Sequence, residues 1–368
     1  MVHLKIVAMK KVYFLLIVIF AAQLGMAQTS YRVIGLADHI DASINAGFFI
    51  QQIEDQRAFK ANLGIVNRGS DKVFKRPLIQ EIGFLKITLD KVNKWIHPNE
   101  QAEPVVMQIR ELYLWEHLRR SSEKGYLHME AAFVGQDQKE KAVISVDLSG
   151  EKLDVTNGHS IRLEEAFFQC VQKFDEQRQN AAAAALARET NTKRVANPNK
   201  NQVLGVYNFL DLWKGNYHYT RSHLRRMGSR DVGRYMLKSG KKETEKNFYA
   251  VVKGDEWYIK ANNYTGMGDY YTKVLEQGRY MFLIDDINLK PEEGMNLGDN
   301  IISNRVGIII DMNTGVPQIV TDDLMKEIMA PYPELQERYL FKNLLKFPFQ
   351  LGRVQNVIAE INRLQEEG

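Results

Sequence analysis

Val105-Val106-Met107-Gln108-Ile109-Arg110-Glu111-Leu112-Tyr113-Leu114-Trp115 reads as one long strand. β-Branched, aromatic and polar residues interleave along it, which suits a pleated surface buried on one side. Successive side chains of a strand point to opposite faces. Val106, Gln108, Arg110, Leu112 and Leu114 therefore share one face, and Val105, Met107, Ile109, Glu111, Tyr113 and Trp115 the other. The second set is mostly apolar and is expected to meet the core. Two more runs follow, Tyr126–Val134 and Ala142–Leu148, and Gly135–Glu140 turns them into a hairpin.

Outward from these strands the pattern changes period. Downstream, Leu163, Phe167, Cys170, Val171 and Phe174 fall on one helical stripe, with Ser160 as the expected N-cap and Glu164 and Glu165 near the positive end of the helix dipole. Upstream, Leu85–Ile96 is a predicted helix that stops at His97-Pro98, because the residue before a proline resists the α region. Tyr31–Ala37, Gly47–Ile53 and Leu63–Val66 are short strand candidates. The expectation is an α+β domain over 28–187, an antiparallel sheet with packed helices. Ala181–Ala185 prolongs its last helix, and polar residues 188–202, with Asn197-Pro198-Asn199, read as a linker.

A β-rich domain is expected over 203–320. Its strand candidates are Asn247–Lys253, Glu256–Lys260, Tyr270–Leu275 and Tyr280–Ile284, followed by a hairpin of Arg305–Asp311 and Val316–Thr321 around Met312-Asn313-Thr314-Gly315. C-terminal helices fill 321–368. Thr321 caps the first of them through Met329, a second covers Glu334–Lys346, and Arg353–Glu366 carries Val354, Val357, Ile358, Ile361 and Leu364 on one face.

The first 27 residues read as a secretory signal peptide. Lys10-Lys11 precede the apolar run Val12–Ala22, and Gly25 and Ala27 supply small residues before a cleavage at Gln28. The run is too short to span a bilayer, where ~20 apolar residues are needed, and nothing later in the chain is long and apolar enough. Met9-Lys10-Lys11 also reads as a start. Without Lys5, Lys10 and Lys11 the formal charge of +4 falls to +1, which removes the global case for nucleic-acid binding. The expected location is periplasmic or secreted. Cys170 is the only cysteine, so no intramolecular disulfide forms, and its place on an apolar helical stripe makes it an inert buried thiol.

Catalytic patterns find little support. His218 and His223 are five apart, on neither one helix face nor one strand face, so no metal is expected. Asp311–Gly315 fails as a calcium loop, since Val316 stands where the loop needs glycine and Asp322 where it needs glutamate. Gly266-Met267-Gly268 lacks the third glycine of a dinucleotide turn, and no other cofactor is expected. Ser121–Lys124 and Ser239–Lys242 match Ser-x-x-Lys in hydrophilic turns that cannot desolvate a lysine. Adjacent acids such as Asp285-Asp286 point to opposite faces of a strand.

The functional signal is basic and aromatic. Residues 203–282 hold 15 of the 37 aromatics and 14 Lys/Arg against 8 Asp/Glu. Tyr217, Tyr219, Arg221, Arg225, Arg226, Arg230 and Arg234 crowd one stretch and form the candidate binding site. Guanidinium forks suit phosphate or carboxylate, and ring faces suit sugars or acyl chains. A structural alternative stands beside this: a small β domain needs aromatics inside and solvates arginines outside.

The cleavage context Gly-Met-Ala-Gln at 25–28 resembles that of exported proteins of Bacteroidota without assigned function. Ile53-Glu54-Asp55-Gln56-Arg57 followed by Leu63-Gly64 is similar to the opening of small envelope lipoproteins of the YajG type, although the lipid-bearing cysteine is missing here. Gly205-Val206-Tyr207 with Asp211, the Asp311–Pro317 hairpin and Pro333-Glu334-Leu335 also look like domains of such exported proteins. These resemblances imply a compartment and no activity. The resulting expectation is an envelope-associated binding or assembly protein whose partner is an anionic polymer, a lipid headgroup or a protein. The alternative is a hydrolase acting on envelope polymers.

Overall fold

The computed structural model describes residues 31–67, 75–118, 123–152, 156–180, 202–227, 233–238, 247–265, 268–287, 305–340 and 351–367. The signal peptide, the Ala181–Ala185 extension, linker residues 188–201, Ser121-Ser122, the Ser239–Lys242 turn, Gly266-Met267 and Arg230 lie outside them, as do residues 341–346 of the second C-terminal helix. Glu123 and Lys124 of the first Ser-x-x-Lys match are in a strand and not in the expected turn.

The fold is mixed α+β. The first sheet contains β1 (Arg32–Ile34), β2 (Ile44–Asp55), β3 (Gly64–Asn67), β4 (Lys75–Gln80), β5 (Ile96–Leu118), β6 (Glu123–Gly135) and β7 (Glu140–Lys152) in the order β1-β4-β3-β5-β6-β7. The long β5 organises it. On one side β5 pairs antiparallel with β6, which pairs antiparallel with β7; on the other it runs parallel to β2 and then to β3. β1 is parallel to β4, so the sheet is antiparallel from β5 to β7 and mixed beyond. Pro98 and Pro104 sit before Val105, where β5 meets only β2, so neither missing N–H interrupts the β6 ladder.

A bulge in β5 revises the two faces read from sequence. The β5–β6 register slips between Ile109 and Glu111. One extra residue reverses the alternation beyond it. Met107 and Ile109 therefore share the main core with Leu112 and Leu114, while Tyr113 joins a second core on the opposite face with Trp115 packed against it.

Two helices cover the main core. α1 (Phe84–Trp95) ends one residue before the predicted limit, with Ile96 already extended. α2 (His159–Gln179) buries Leu163, Phe167, Cys170, Val171 and Phe174, the stripe read from the sequence. Phe174 stacks on Phe133 at 4.1 Å and meets Phe48 edge-on at 4.8 Å. The N-cap is Gly158 rather than Ser160, and no side chain caps this helix. Glu164 instead turns to the chain before β2, accepting from the His39 and Ile40 amides and pairing with Lys91 at 2.9 Å. Burial pushes the Cys170 thiol up to about 12, consistent with an inert core residue.

The second sheet contains β8 (Val203–Val206), β9 (His218–Tyr219), β10 (His223–Met227), β11 (Arg234–Lys238), β12 (Ala250–Lys253), β13 (Glu256–Lys260) and β14 (Tyr271–Lys273), ordered β10-β11-β14-β13-β12-β8-β9. Its two edges, β9 and β10, are joined by Thr220–Ser222 alone. Those few residues reach about 14 Å, whereas six strand spacings in a flat sheet would separate the edges by roughly 29 Å. The sheet must curl into a small barrel-like unit. Phe248, Val251, Tyr258 and Tyr271 form one cluster, with Tyr235 and Leu237 against it.

A third sheet of β15 (Tyr280–Asp286), β16 (Arg305–Asp311) and β17 (Pro317–Ile319) packs on the barrel's other face. The predicted hairpin turn forms at Met312–Gly315, with Gly315 at φ +71°. α3 (Phe209–Lys214) follows β8, capped by Asn208. α4 (Asp322–Met329), α5 (Pro333–Leu340) and α6 (Leu351–Glu367) close the chain. Thr321 caps α4 as expected, its hydroxyl accepting from the Leu324 amide at 3.1 Å. No described helix is long and apolar enough to cross a membrane.

Candidate functional site

The outer face that the bulge gives to β5 is where the barrel docks. Phe59, in the loop after β2, meets Tyr113, Phe209 and Trp213 edge-on at 6.2, 5.8 and 5.6 Å. The Asn62 side-chain amide donates to the Thr314 carbonyl at 2.8 Å. One aromatic core thus contains residues from both halves of the chain.

Beside this seam is a charge cluster. Lys214 of α3 pairs with Glu111 of β5, and His128 of β6 bridges Glu111 at 3.4 Å and Asp147 of β7 at 2.8 Å. Burial acts to raise the Glu111 carboxyl, but His128 and Lys214 outweigh it and hold it down to about 2. Burial acts to lower His128, but Asp147 and Glu111 raise it to about 9. A pKa above the unfolded value of ~6.5 gives stability that is complete below that pH and lost as pH rises through about 9. His128→Gln is therefore expected to flatten the decline in urea-unfolding free energy between these values. An unchanged pH profile would overturn the assignment.

Tyr113, Trp115 and Tyr126 form a ladder. Trp115 stacks on Tyr126, its partner across the β5–β6 ladder, at 5.1 Å and 7°, and on Tyr113 at 6.3 Å. Tyr113 is buried; Trp115 and Tyr126 are half-buried. Trp115 borders a shallow cleft, partly open to solvent and with an enclosed volume of only about 20 Å³, that Tyr207, Phe209, Tyr249 and Asn263 line from the barrel side. Lys75, Glu116 and His117 line it from the first sheet.

A polar network supports that wall. Glu116 accepts from the Asn67 amide and side chain at 2.8 and 2.6 Å and from Thr156 at 2.5 Å, and it contacts His159 at 3.2 Å. Burial works against the charge on Glu116, but these partners keep its carboxyl below its ordinary range. The Lys75 ammonium donates to Asn67 Oδ1. Burial pulls it down to about 8, with Glu116 and Glu123 resisting. An ammonium poised near neutrality beside aromatic faces is suited to an anionic ligand bearing a flat or ring-shaped body.

The residues singled out from sequence are distributed around the barrel. Tyr217 packs against the seam, and Tyr219 on β9 is 55% exposed. Arg221, Arg225 and Arg226 are exposed, but Arg225 and Arg226 are adjacent on β10 and so point to opposite faces. Arg234 on β11 is half-buried and tied to the third sheet. Its guanidinium grips Asp285 at 2.7 Å and lies 4.4 Å from the centre of the Tyr270 ring. His218 packs on Tyr207 at 4.6 Å, whereas His223 is exposed. Sequence reasoning did not single out Lys75, Trp115 or Tyr207 as neighbours. The isolated lysine and ring residues carry no local pattern, and only the bulge and the docking of the barrel bring them together.

Residues 233–344 match the model of a family of unknown function, DUF6563. The match spans β11 to α5. No curated protein matches the chain. Among solved structures, a minor lipoprotein from Acinetobacter baumannii is similar at 8% identity and a TM-score of 0.19, over 35% of this chain and 91% of that one. An uncharacterized protein is similar at 8% identity and a TM-score of 0.19, over 42% and 99% of the two chains.

Proposed function

We propose that this is an exported, envelope-associated binding protein that takes an anionic, ring-bearing envelope component against the mouth of the shallow cleft between its first sheet and its barrel. The observation that carries this reading is that Lys75, its ammonium resting on Asn67 Oδ1, lines the same cleft as the Trp115 and Tyr207 rings. Ring faces stack on sugars, and the ammonium takes a phosphate or carboxylate as a point charge. The signal-peptide pattern before Gln28 supports the compartment. Exposed Arg221 and Arg225 on the barrel edge add the same charge preference for a long polymer.

Hydrolysis has weaker support. A glycosidase needs two carboxylates flanking the bond. Among the described residues lining the cleft Glu116 is the one carboxylate, and its oxygens are already engaged.

The test is titration with lipid-free lipopolysaccharide core oligosaccharide and its dephosphorylated form, read by tryptophan fluorescence and calorimetry. The phosphorylated form is expected to bind more tightly, with the preference falling as pH rises through about 8, where Lys75 loses its charge. Lys75→Met, checked for folding by circular dichroism, is expected to abolish the preference. Equal binding of the two forms, no binding of either, or a preference that survives in the folded variant would each refute the reading.

A further inference from the structure

β7 is an edge strand of 13 residues, paired with β6 on one side and with no described strand on the other. Most strands are about half that length, and proteins usually blunt long edges with prolines, bulges or charges. Here the register irregularity lies near Lys141, at one end. The central residues Ala142–Leu148 contain no proline, and their single charge, Asp147, is bound by His128. Ile144 and Val146 are buried beneath α2, while Val143 is 38% exposed on the other face. From Ala142 onward the described edge is thus long, regular and weakly guarded. Lys141, at the irregularity, pairs with Asp137 at 3.2 Å and must exchange that partner to meet a second strand. Lys173 of α2 stands beside the edge, donating to the Ser145 carbonyl at 3.3 Å.

The sequence of β7 is complementary to itself when reversed. With a twofold axis at Val146, Ile144 faces Leu148, Val143 faces Ser149, Ser145 faces Asp147 and Lys141 faces Glu151. Glu140 falls opposite position 152, a lysine. Opposite charges meet at both ends and apolar residues meet at the centre. Moving the axis to Asp147 would oppose two carboxylates. A one-residue slip would oppose Glu140 to Glu151 and send side chains to the wrong face.

We infer that β7 pairs antiparallel with β7 of a second copy of this chain, with the axis at Val146, so that the two first sheets become one continuous sheet. Twofold pairing makes the interface self-complementary, and each residue acts twice. The main-chain ladder supplies affinity and the charged ends set the register. Lys173 swings off the Ser145 carbonyl as the second strand arrives.

The full-length processed protein should sediment as a dimer. Glu151→Lys places two lysines opposite each other, and Lys141→Glu two glutamates. Each single reversal is expected to raise the dimer dissociation constant about tenfold, because the lost pair is counted twice by symmetry. The double reversal should restore the original constant. Circular dichroism of all three variants separates loss of folding from loss of pairing. A monomeric wild type, a dimer indifferent to the folded single variants, or a double variant that stays weak would overturn the inference.

Discussion

Gly64→Ala is expected to destabilise the protein by more than about 3 kcal/mol, a large fraction of a typical total stability, and to lower its urea midpoint accordingly. Gly64 opens β3 at φ +148°, a conformation that side chains rarely adopt. A Cβ there would lie 1.8 Å from the Leu114 carbonyl oxygen and 2.7 Å from its carbon. Those are backbone atoms of β5, so no rotamer change can relieve the overlap. The two strands are tied at this point, since the Leu114 amide donates to the Leu63 carbonyl at 2.7 Å and the Leu63 amide to Leu78 at 2.7 Å. Moving β3 away would break the seam between β4 and β5 beside the buried Glu116. Gly352→Ala is the matched control: nothing lies within 4 Å, and the position is helical. It should gain up to about 1 kcal/mol from helix propensity. Urea midpoints that are equal for wild type and Gly64→Ala would refute this account of the junction.

Asp285→Ala should cost about 2–3 kcal/mol, the loss of charged hydrogen bonds to a buried carboxylate whose Arg234 partner is partly exposed. Asp285 is fully buried on β15 and accepts from Arg234 Nε at 2.8 Å, Tyr264 OH at 2.9 Å and Tyr270 OH at 2.7 Å. Removing it takes an acceptor from each of them, although Arg234 keeps the Asp286 carbonyl and Tyr264 keeps Thr272 Oγ1. Arg225→Ala, an exposed arginine from the same stretch, should stay within about 0.5 kcal/mol of wild type. Thermal unfolding followed through the tyrosine signal distinguishes the two. A mild Asp285→Ala would mean that the Arg234–Asp285 pair contributes little to joining the barrel to the third sheet.

The sequence was most legible where one period persisted. Glu256–Lys260 and Arg305–Asp311 form strands with the predicted limits, and the α2 stripe from Leu163 to Phe174 is buried as read. β5 was legible as a strand and misleading as a pattern. Alternation places Tyr113 with Met107, but nothing in the residues from Ile109 to Glu111 marks a bulge. β10 and β11 were read as a charged surface because arginine dominates them. Arg234 is instead half-buried in an ion pair, because Asp285, 51 positions later, reaches it. Short β4 went unread, since Lys75–Gln80 has neither alternation nor flanking turn signals strong enough to define it. In each case the missing information was a distant partner rather than a local preference.

The bulge in β5 also constrains how the gene for this protein can change. One extra residue lets a single strand serve two cores in succession, one on each face. Substitution at Arg110, which is half-exposed, alters only a surface contact with Glu140. Loss of one codon there would instead bring the outer residues inward, sending Tyr113 and Trp115 toward α1 and α2 and Leu112 and Leu114 toward the barrel. The two halves of the molecule are thereby bound to a common reading of one strand, and their lineages can drift in composition around it but not in length.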